Sequence, residues 1–264
     1  MSYEKLFAAL WAEYLKIKRS RILWITILAF SIAPLMGALF VFVLRHPELA
    51  QTAQSLKVKA QMVSFSPNWP SFLSLLSQAL GVGGILVFGF VASWVFGREY
   101  SDGTAKDLLA LPVSRSAIVL SKMMAIFLWC LILSLTVLLL GLGLGFMLNL
   151  PGWTVPVLLT NLKIFFITGF LAFLLCPPIA FFASVGRGYL APLGFVVFTI
   201  VIGQIIAALG LGTYFPWAIP GLFSGIAGAE QAQVPGFSYI MLIVTSMAGF
   251  LGTLGWWHFA DQDK

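Results

Sequence analysis

Residues 98–122, REYSDGTAKDLLALPVSRSAIVLSK, form the longest mixed-charge segment between two long apolar runs. Ser101 and Asp102 can cap the start of a helix, because their side-chain oxygens accept hydrogen bonds from free N–H groups of a first turn. Pro112 blocks continuation of that helix, and Ser114 can cap a second one that enters the next apolar run. The pattern predicts a short amphipathic helix across the mouth of two membrane spans, suited to docking a soluble protein.

Composition places the chain among multi-pass membrane proteins. Of its 264 residues, 60% are hydrophobic and 9% are charged, whereas soluble domains carry about 25% charged residues. We therefore expect one all-α membrane domain over residues 1–264. The two cysteines, Cys130 and Cys176, lie inside apolar runs and are expected to be buried thiols, with a disulfide left open.

Six apolar runs are long enough to cross a membrane, which takes about 20 helical residues. They lie near residues 23–44, 74–97, 118–148, 160–185, 189–211 and 237–258. Pro177 and Pro178 should break or kink the fourth span. Small residues allow helices to approach closely in membranes, and this is the role expected for Gly81, Gly84, Gly141 and Gly145.

Residues 1–22 predict an amphipathic helix that lies in the membrane interface. Its apolar face carries Leu6, Phe7, Leu10, Trp11, Tyr14 and Ile17, opposite Glu4, Lys5, Lys16 and Arg19. With the N-terminus inside, the cytoplasmic segments hold Lys5, Lys16, Lys18, Arg19, Arg21, Arg98, Lys106, Arg115, Lys122, Arg187 and Lys264. The outer segments hold only Arg45, Lys57, Lys59 and Lys163. This bias predicts cytoplasmic N- and C-termini, and a cytoplasmic 98–115 loop.

Two outer segments differ in character. Residues 45–73 predict either a small extracellular helix or a plain loop. Residues 212–236 combine prolines and glycines with large apolar side chains, which favours a re-entrant segment that dips into the outer leaflet. An interfacial loop with aromatic anchors is the alternative for this second segment.

The spans carry no Asp, Glu, Lys, Arg or His at their middle. Ion-driven carriers keep ionisable residues at depth, so this pattern argues against a secondary transporter. The sequence contains no GxxxxGK[ST] loop and no HExxH motif, which argues against ATP binding by a Walker A site and against a metalloenzyme. We expect no catalytic site, no bound metal and no nucleic-acid partner.

The charged loop resembles the cytoplasmic loop after the second span of ABC-2 type permeases. The resemblance is carried by Phe96-Gly97-Arg98-Glu99-Tyr100, Gly103-Thr104, Leu108-Leu109-Ala110-Leu111-Pro112-Val113-Ser114-Arg115 and Lys122. Residues 13–21 similarly resemble the connecting helix of that family. The chain looks most like the small permeases of bacitracin- and lantibiotic-resistance exporters, although sodium-export and copper-enzyme maturation permeases share the same string.

The resemblance implies a permease that pairs with a second or sister copy and with two ATP-binding subunits, which bind the ATP and magnesium. Residues 98–115 would then carry the coupling helix. The implied coupling residues are Arg98, Glu99, Asp102, Gly103, Thr104, Leu108, Leu109, Pro112 and Arg115, with Glu13, Lys16 and Arg19 on the connecting helix. Glu99 would hold the loop to the connecting helix or to the ATPase, and Leu108 and Leu109 would fill the ATPase cleft. Gly103 and Thr104 would start the helix, and Arg115 would anchor its end.

The function expected from this resemblance is ATP-driven export of a hydrophobic or peptide-like compound across the cell (plasma or inner) membrane. No large extracellular substrate-binding domain is recognisable, so the substrate is met within the membrane lipid or through another protein. The alternatives are an ABC-coupled mechanotransmitter that acts on an extracytoplasmic partner, for example in metalloenzyme maturation, and a sodium-export permease.

Overall fold

The computed structural model describes residues 3–46, 65–110, 113–226, 228 and 234–259, and every regular element in these ranges is helical. The helices are α1 (Tyr3–Arg19), α2 (Ile22–Arg45), α3 (Trp69–Ser101), α4 (Ala105–Ala110), α5 (Arg115–Met147), α6 (Val155–Phe173), α7 (Cys176–Val185), α8 (Leu190–Ala208), α9 (Ile219–Phe223) and α10 (Gly236–Phe259). Two 3₁₀ turns, Gly212–Tyr214 and Pro216–Ala218, precede α9.

Six of these segments are long and apolar enough to span a membrane, which confirms the predicted number. They are α2, α3, α5, the pair α6–α7, α8 and α10. Helices α3 and α5 have 33 residues each, or about 50 Å of helix, and therefore extend beyond a hydrocarbon core of about 30 Å. Their extra turns carry the polar residues of the charged loop.

Helix α3 lies at the centre of the bundle and packs against α5, α6, α7 and α8. Its buried side chains include Phe72, Leu76, Leu80, Phe88 and Phe96. Helices α2, α8 and α10 instead expose much of their apolar surface, as at Trp24, Leu28, Phe198 and Leu251. The bundle therefore has a packed centre and an apolar exterior, as a membrane requires.

The fourth span is broken where two prolines were expected to break it. Helix α6 ends at Phe173, and α7 restarts at Cys176 with Pro177 and Pro178 in its first turn. The backbone of α10 approaches this break, because a Cβ placed on Gly249 would collide with the backbone of Pro178. The break and α10 thus form one closely packed contact that the sequence reasoning missed.

Three of the four glycines expected at helix contacts lie at such contacts. A Cβ on Gly81 would lie 2.8 Å from the carbonyl oxygen of Pro220, and Cβ atoms on Gly141 and Gly145 would collide with side chains of α3. Gly84 is the exception, since only side chains of its own helix lie nearby.

The capping role expected for Ser101 and Asp102 is wrong. Helix α3 continues through Ser101, and Asp102 is its C-cap, with the backbone N–H of Asp102 donating to the Arg98 carbonyl at 2.7 Å. Gly103 follows with a φ of +69°, the conformation that ends helices and that glycine adopts without steric cost. Helix α4 starts only after Thr104. Gly103 therefore ends α3, and the two potential capping residues before it belong to the end of α3 and not to the start of α4.

The start of α5 agrees with the expectation, since the Ser114 side chain accepts a hydrogen bond from the backbone N–H of Ala117 at 3.3 Å. Pro112, between α4 and α5, lies outside the described residues, as does most of the segment 45–73 whose helix or loop state was left open.

At the far end of the bundle, α9 packs against α3 and α6, and the two 3₁₀ turns pack against α8 and α10. Ile219, Pro220, Gly221 and Leu222 are buried there. The same end is tied by Arg45, whose guanidinium donates to the backbone carbonyls of Leu148 and Asn149. These carbonyls follow the last turn of α5, so the end of α2 is attached to the end of α5.

Candidate functional site

Four charged side chains and one hydroxyl meet at the end of the bundle that carries the charged loop. Glu13 and Lys16 come from α1, Glu99 from the last turns of α3, Thr104 from the loop before α4, and Lys122 from the second turn of α5. We call these five residues the charge cluster. The cluster joins α1, α3 and α5 to the loop.

Lys122 is the centre of the charge cluster. Its ammonium donates to Glu13 Oε1 at 3.0 Å, to Glu99 Oε1 at 2.7 Å and to the backbone carbonyl of Val95 at 3.1 Å. An ammonium has three N–H groups, so each of them has an acceptor. The side chain is fully buried, and all of its hydrogen-bond donors are satisfied.

Glu99 uses both of its carboxylate oxygens. Oε1 accepts from Lys122 and from Lys16, each at 2.7 Å, and Oε2 accepts from the hydroxyl of Thr104 at 2.6 Å. Lys16 also donates to Glu13 at 3.2 Å. The carboxylate of Glu99 therefore attaches α1, α5 and the loop to the end of α3.

The pairing explains how these charges can be buried. Glu99 and Lys122 are 1% and 0% exposed, and an isolated charge at such a position costs several kcal/mol or more. Two carboxylates face two ammonium groups, so the cluster carries no net charge. Removing any one of the four charged members leaves an uncompensated charge, and pulling the helices apart would separate the paired charges.

The structure separates the predicted coupling residues into groups. Glu13, Lys16, Glu99 and Thr104 belong to the charge cluster. Arg98 and Asp102 lie beside it, with Arg98 Nε 3.6 Å from Asp102 Oδ2. Arg19 is exposed on α1, Gly103 forms the turn described above, and Leu108 is half-buried on α4. The side chain of Leu109 and all of Pro112 lie outside the described residues.

Arg115 makes a connection that sequence reasoning did not anticipate. Its guanidinium donates to the backbone carbonyls of Trp257 at 3.1 Å and His258 at 2.7 Å. Ser116 adds a hydrogen bond to the His258 ring at 2.9 Å. These carbonyls belong to the last turn of α10, where a cation is favoured by the helix dipole. The start of α5 is thereby attached to the end of the last span.

Lys122 was missed as a site residue although it stands in the motif. A lysine two turns inside an apolar helix has to find acidic partners, and that signal was available. The sequence did not reveal which acidic residues are its partners, because Glu13 lies 109 residues away from Lys122 in the chain. Within the described residues, no group of three or more His, Cys, Asp or Glu side chains could hold a metal ion.

The fold and the site together define a multi-pass membrane protein whose charged loop is bound to the helix bundle by buried charges. A family model described as "ABC-2 family transporter protein" matches residues 9–203. The chain therefore belongs to the ABC-2 transporter family. It is a permease, and permeases of this family are non-catalytic subunits that work with an ATP-binding subunit as a transporter.

A curated relative points in the same direction. The bacitracin transport permease protein BCRB of Bacillus licheniformis is 29% identical to this chain over 172 residues, which cover 65% of this chain and 82% of that protein. The family model, which matches residues 9–203, includes most of α1 and the whole charged loop, the two regions that carried the resemblance.

Proposed function

We propose that this permease exports a hydrophobic or peptide-like compound, driven by a partner that hydrolyses ATP. The observation that carries the proposal is the charge cluster, which attaches α1, the charged loop and the inner ends of α3 and α5 to one another. A force applied to the loop reaches two spans at once. The cluster does not bind substrate; it transmits movement.

In this proposal α4 is the coupling helix. It is a six-residue helix between the two longest helices of the bundle, and it carries exposed Asp107 beside half-buried Leu108. Leu108 and Leu109 enter a cleft of the ATP-binding subunit. Thr104 passes the displacement of α4 to Glu99, and Arg115 passes it to α10.

The distribution of basic residues supports a cytoplasmic loop. The loop end of the described bundle carries Lys16, Lys18, Arg19, Arg21, Arg98, Arg115, Lys122 and Arg187, and the opposite end carries Arg45 and Lys163. Basic residues are retained on the cytoplasmic side of membranes. Both termini therefore lie in the cytoplasm, where ATP and magnesium are bound by the partner rather than by this chain.

Exposure of aromatic side chains supports an interfacial position for α1. Phe7, Trp11 and Tyr14 are 72%, 53% and 46% exposed, and they fall on one face because they are spaced by one helical turn. Aromatic rings of this kind favour the headgroup layer. At the other end, the buried residues Ile219, Pro220, Gly221 and Leu222 support a re-entrant turn protected by α3 and α6.

A second permease copy, or a sister permease, completes the pathway. Helices α2, α8 and α10 expose apolar faces in the single chain, and a partner copy covers part of them while lipid covers the rest. Two ATP-binding subunits then serve the two loops. ATP-driven closure of those subunits moves both loops together.

The proposal is tested in proteoliposomes that contain the permease and its ATP-binding subunit. Bacitracin is the first probe, because a relative is named for its transport, and a hydrophobic fluorescent dye is the second. We expect ATP-dependent movement of a probe, lost in Leu108→Asp and kept in the matched variant Leu108→Met. Both variants should insert into the membrane normally.

Normal transport by Leu108→Asp would remove the coupling role of α4. If ATP hydrolysis depends on Leu108 but neither probe moves, and an extracytoplasmic protein is altered instead, the mechanotransmitter alternative replaces export.

A further inference from the structure

A cleft opens beside the charge cluster, between α1, α3 and the start of α8. It has a volume of about 610 Å³, and its lining includes Lys16, Arg19, Phe90, Trp94, Arg98 and Asp102. We call it the basic cleft. Neither the transport of a substrate nor the docking of α4 accounts for this cleft.

One face of α3 supplies a graded wall for the basic cleft. Phe90, Trp94, Arg98 and Asp102 recur every four residues and so lie on one side of the helix. Twelve residues of helix span about 18 Å. Along that length the wall changes from apolar, through an indole, to a guanidinium and a carboxylate at the loop end. This is the polarity order of a phospholipid from its acyl chains to its headgroup.

The guanidinium of Arg98 is held in place but has hydrogen-bonding capacity left. It lies 4.6 Å from the ring centre of Trp94, and Trp94 is itself held edge-on by Trp129 at 5.5 Å. The 3.6 Å separation of Arg98 Nε and Asp102 Oδ2 exceeds a hydrogen bond. The N–H fork of Arg98 is therefore available to a phosphate, the group it fits best.

The remaining cations of the cleft give it a positive balance. Arg19 is exposed and has no acidic partner among the residues that the structure describes. The Lys16 side chain is 27% exposed and uses two of its N–H groups on Glu13 and Glu99. Lys16 is neutralised within the charge cluster and Arg98 is offset by Asp102. Arg19 therefore leaves the lining with a net positive charge, which favours an anion over a cation.

We propose that the basic cleft binds an anionic membrane phospholipid, with its phosphate between Arg19 and Arg98 and an acyl chain along Phe90 and Ile22. A soluble anion could meet the cations but would leave Ile22, Phe90 and Trp94 wet, whereas a lipid covers them. Basic pockets between helices at the membrane surface are known to select anionic headgroups.

The bound lipid joins α1 to α3 and α8 next to the charge cluster. Arg19 belongs to α1, Arg98 to α3, and Tyr189 stands at the start of α8 and lines the same cleft. The lipid therefore acts as a removable brace on the elements that the loop moves. This inference goes beyond the export function, since lipid binding requires neither ATP nor a transported compound.

The test uses native mass spectrometry of the full-length permease, titrated with phosphatidylglycerol and, in parallel, with phosphatidylcholine of the same acyl chains. We expect preferential retention of phosphatidylglycerol. Arg19→Gln and Arg98→Gln should each weaken that retention by roughly fivefold, the effect of one basic residue at an anionic surface. Arg98→Lys should lose less, because it keeps the charge.

Lys18→Gln is the matched control, since Lys18 is an exposed cation of the same helix that does not line the cleft. A melting temperature measured without added lipid checks that each variant folds; Arg19 is exposed, so its replacement leaves the packing intact.

Four results would overturn the proposal. Equal retention of the two lipids removes the selectivity. Loss in Lys18→Gln equal to that in Arg19→Gln reduces the effect to general surface charge. Displacement of phosphatidylglycerol by millimolar glycerol 1-phosphate assigns the cleft to a soluble anion. If the Arg variants keep phosphatidylglycerol but lose the ATP-binding subunit, the cleft is a protein contact.

Discussion

Lys122 Nζ and Glu99 Oε1 lie 2.7 Å apart, and neither side chain is accessible to solvent beyond 1%. The same carboxylate oxygen accepts from Lys16 at an equal distance. One oxygen atom of α3 thus binds cations from α5 and from α1. The stability of this end of the bundle depends on that shared acceptor.

Lys122→Met should destabilise the permease by about 3–5 kcal/mol, because Glu99 and Glu13 would stay buried with one ammonium between them. The measurement is unfolding of the purified protein in mixed micelles with increasing SDS. Lys163→Met is the control, since Lys163 is exposed and such substitutions stay within about 0.5 kcal/mol.

The double variant Lys122→Met/Glu99→Gln distinguishes charge from packing. It should recover part of the lost stability, because the Glu13–Lys16 pair at 3.2 Å then remains balanced. A double variant that is less stable than Lys122→Met alone would contradict the electrostatic account.

Thr104→Val should weaken the attachment of the loop without unfolding the bundle. It removes the hydroxyl that donates to Glu99 Oε2 at 2.6 Å, and a hydrogen bond to a charged acceptor contributes about 1.5–3 kcal/mol. The readout is the number of molecules transported per ATP hydrolysed, which should fall. Thr104→Ser keeps the hydroxyl and should keep the ratio; an unchanged ratio in Thr104→Val would show that this bond does not transmit force.

Gly249→Ala should destabilise the contact between α10 and the broken span by about 1–3 kcal/mol, the usual cost of overpacking. A Cβ at this position meets the backbone of Pro178, which cannot move aside as a side chain could. Gly255→Ala is a control on the same helix, because nothing lies within 4 Å of its Cβ position. Thermal unfolding in detergent measures both, and equal melting temperatures would mean that α10 packs elsewhere.

Cysteine labelling can establish which side of the membrane the loop faces. Cys130 and Cys176 are buried free thiols and should react with a membrane-impermeant maleimide only after denaturation. Ser101→Cys places an exposed thiol at the loop end and should label in inside-out vesicles. Leu211→Cys, exposed at the other end, should label in right-side-out vesicles. The reverse pattern would invert the proposed topology.

The six spans could be predicted because hydropathy depends on local composition. The first and last residues of the spans were harder to predict. Helix α3 begins at Trp69 rather than near residue 74, because Asn68 caps it through the Ser71 N–H at 3.0 Å and Pro70 fits its first turn. Asn68 and Pro70 are equally typical of a loop, so the sequence alone did not place the start of the helix. The break at Pro177 and Pro178 was predictable, because proline lacks the backbone N–H that a helix needs, whatever the helix packs against.

The site was predictable in its members but not in its pairings. The motif selected Glu99 and Thr104, and α1 supplied Glu13 and Lys16. That these side chains meet Lys122 depends on how α1 crosses α5, a tertiary contact that local patterns do not encode. The copies, orientation and docking helix implied by the family likewise stay predictions.

The two arginine contacts at the ends of α5 limit how that helix can move. Arg115, the first residue of α5, donates hydrogen bonds to the last carbonyls of α10. Arg45, at the end of α2, donates to a carbonyl that follows the last turn of α5. If α5 slid along its axis by one helical turn, about 5.4 Å, the hydrogen bonds of both arginines would break. The third span is therefore attached at both ends to neighbouring spans, an arrangement that favours tilting over sliding of this helix relative to α2 and α10.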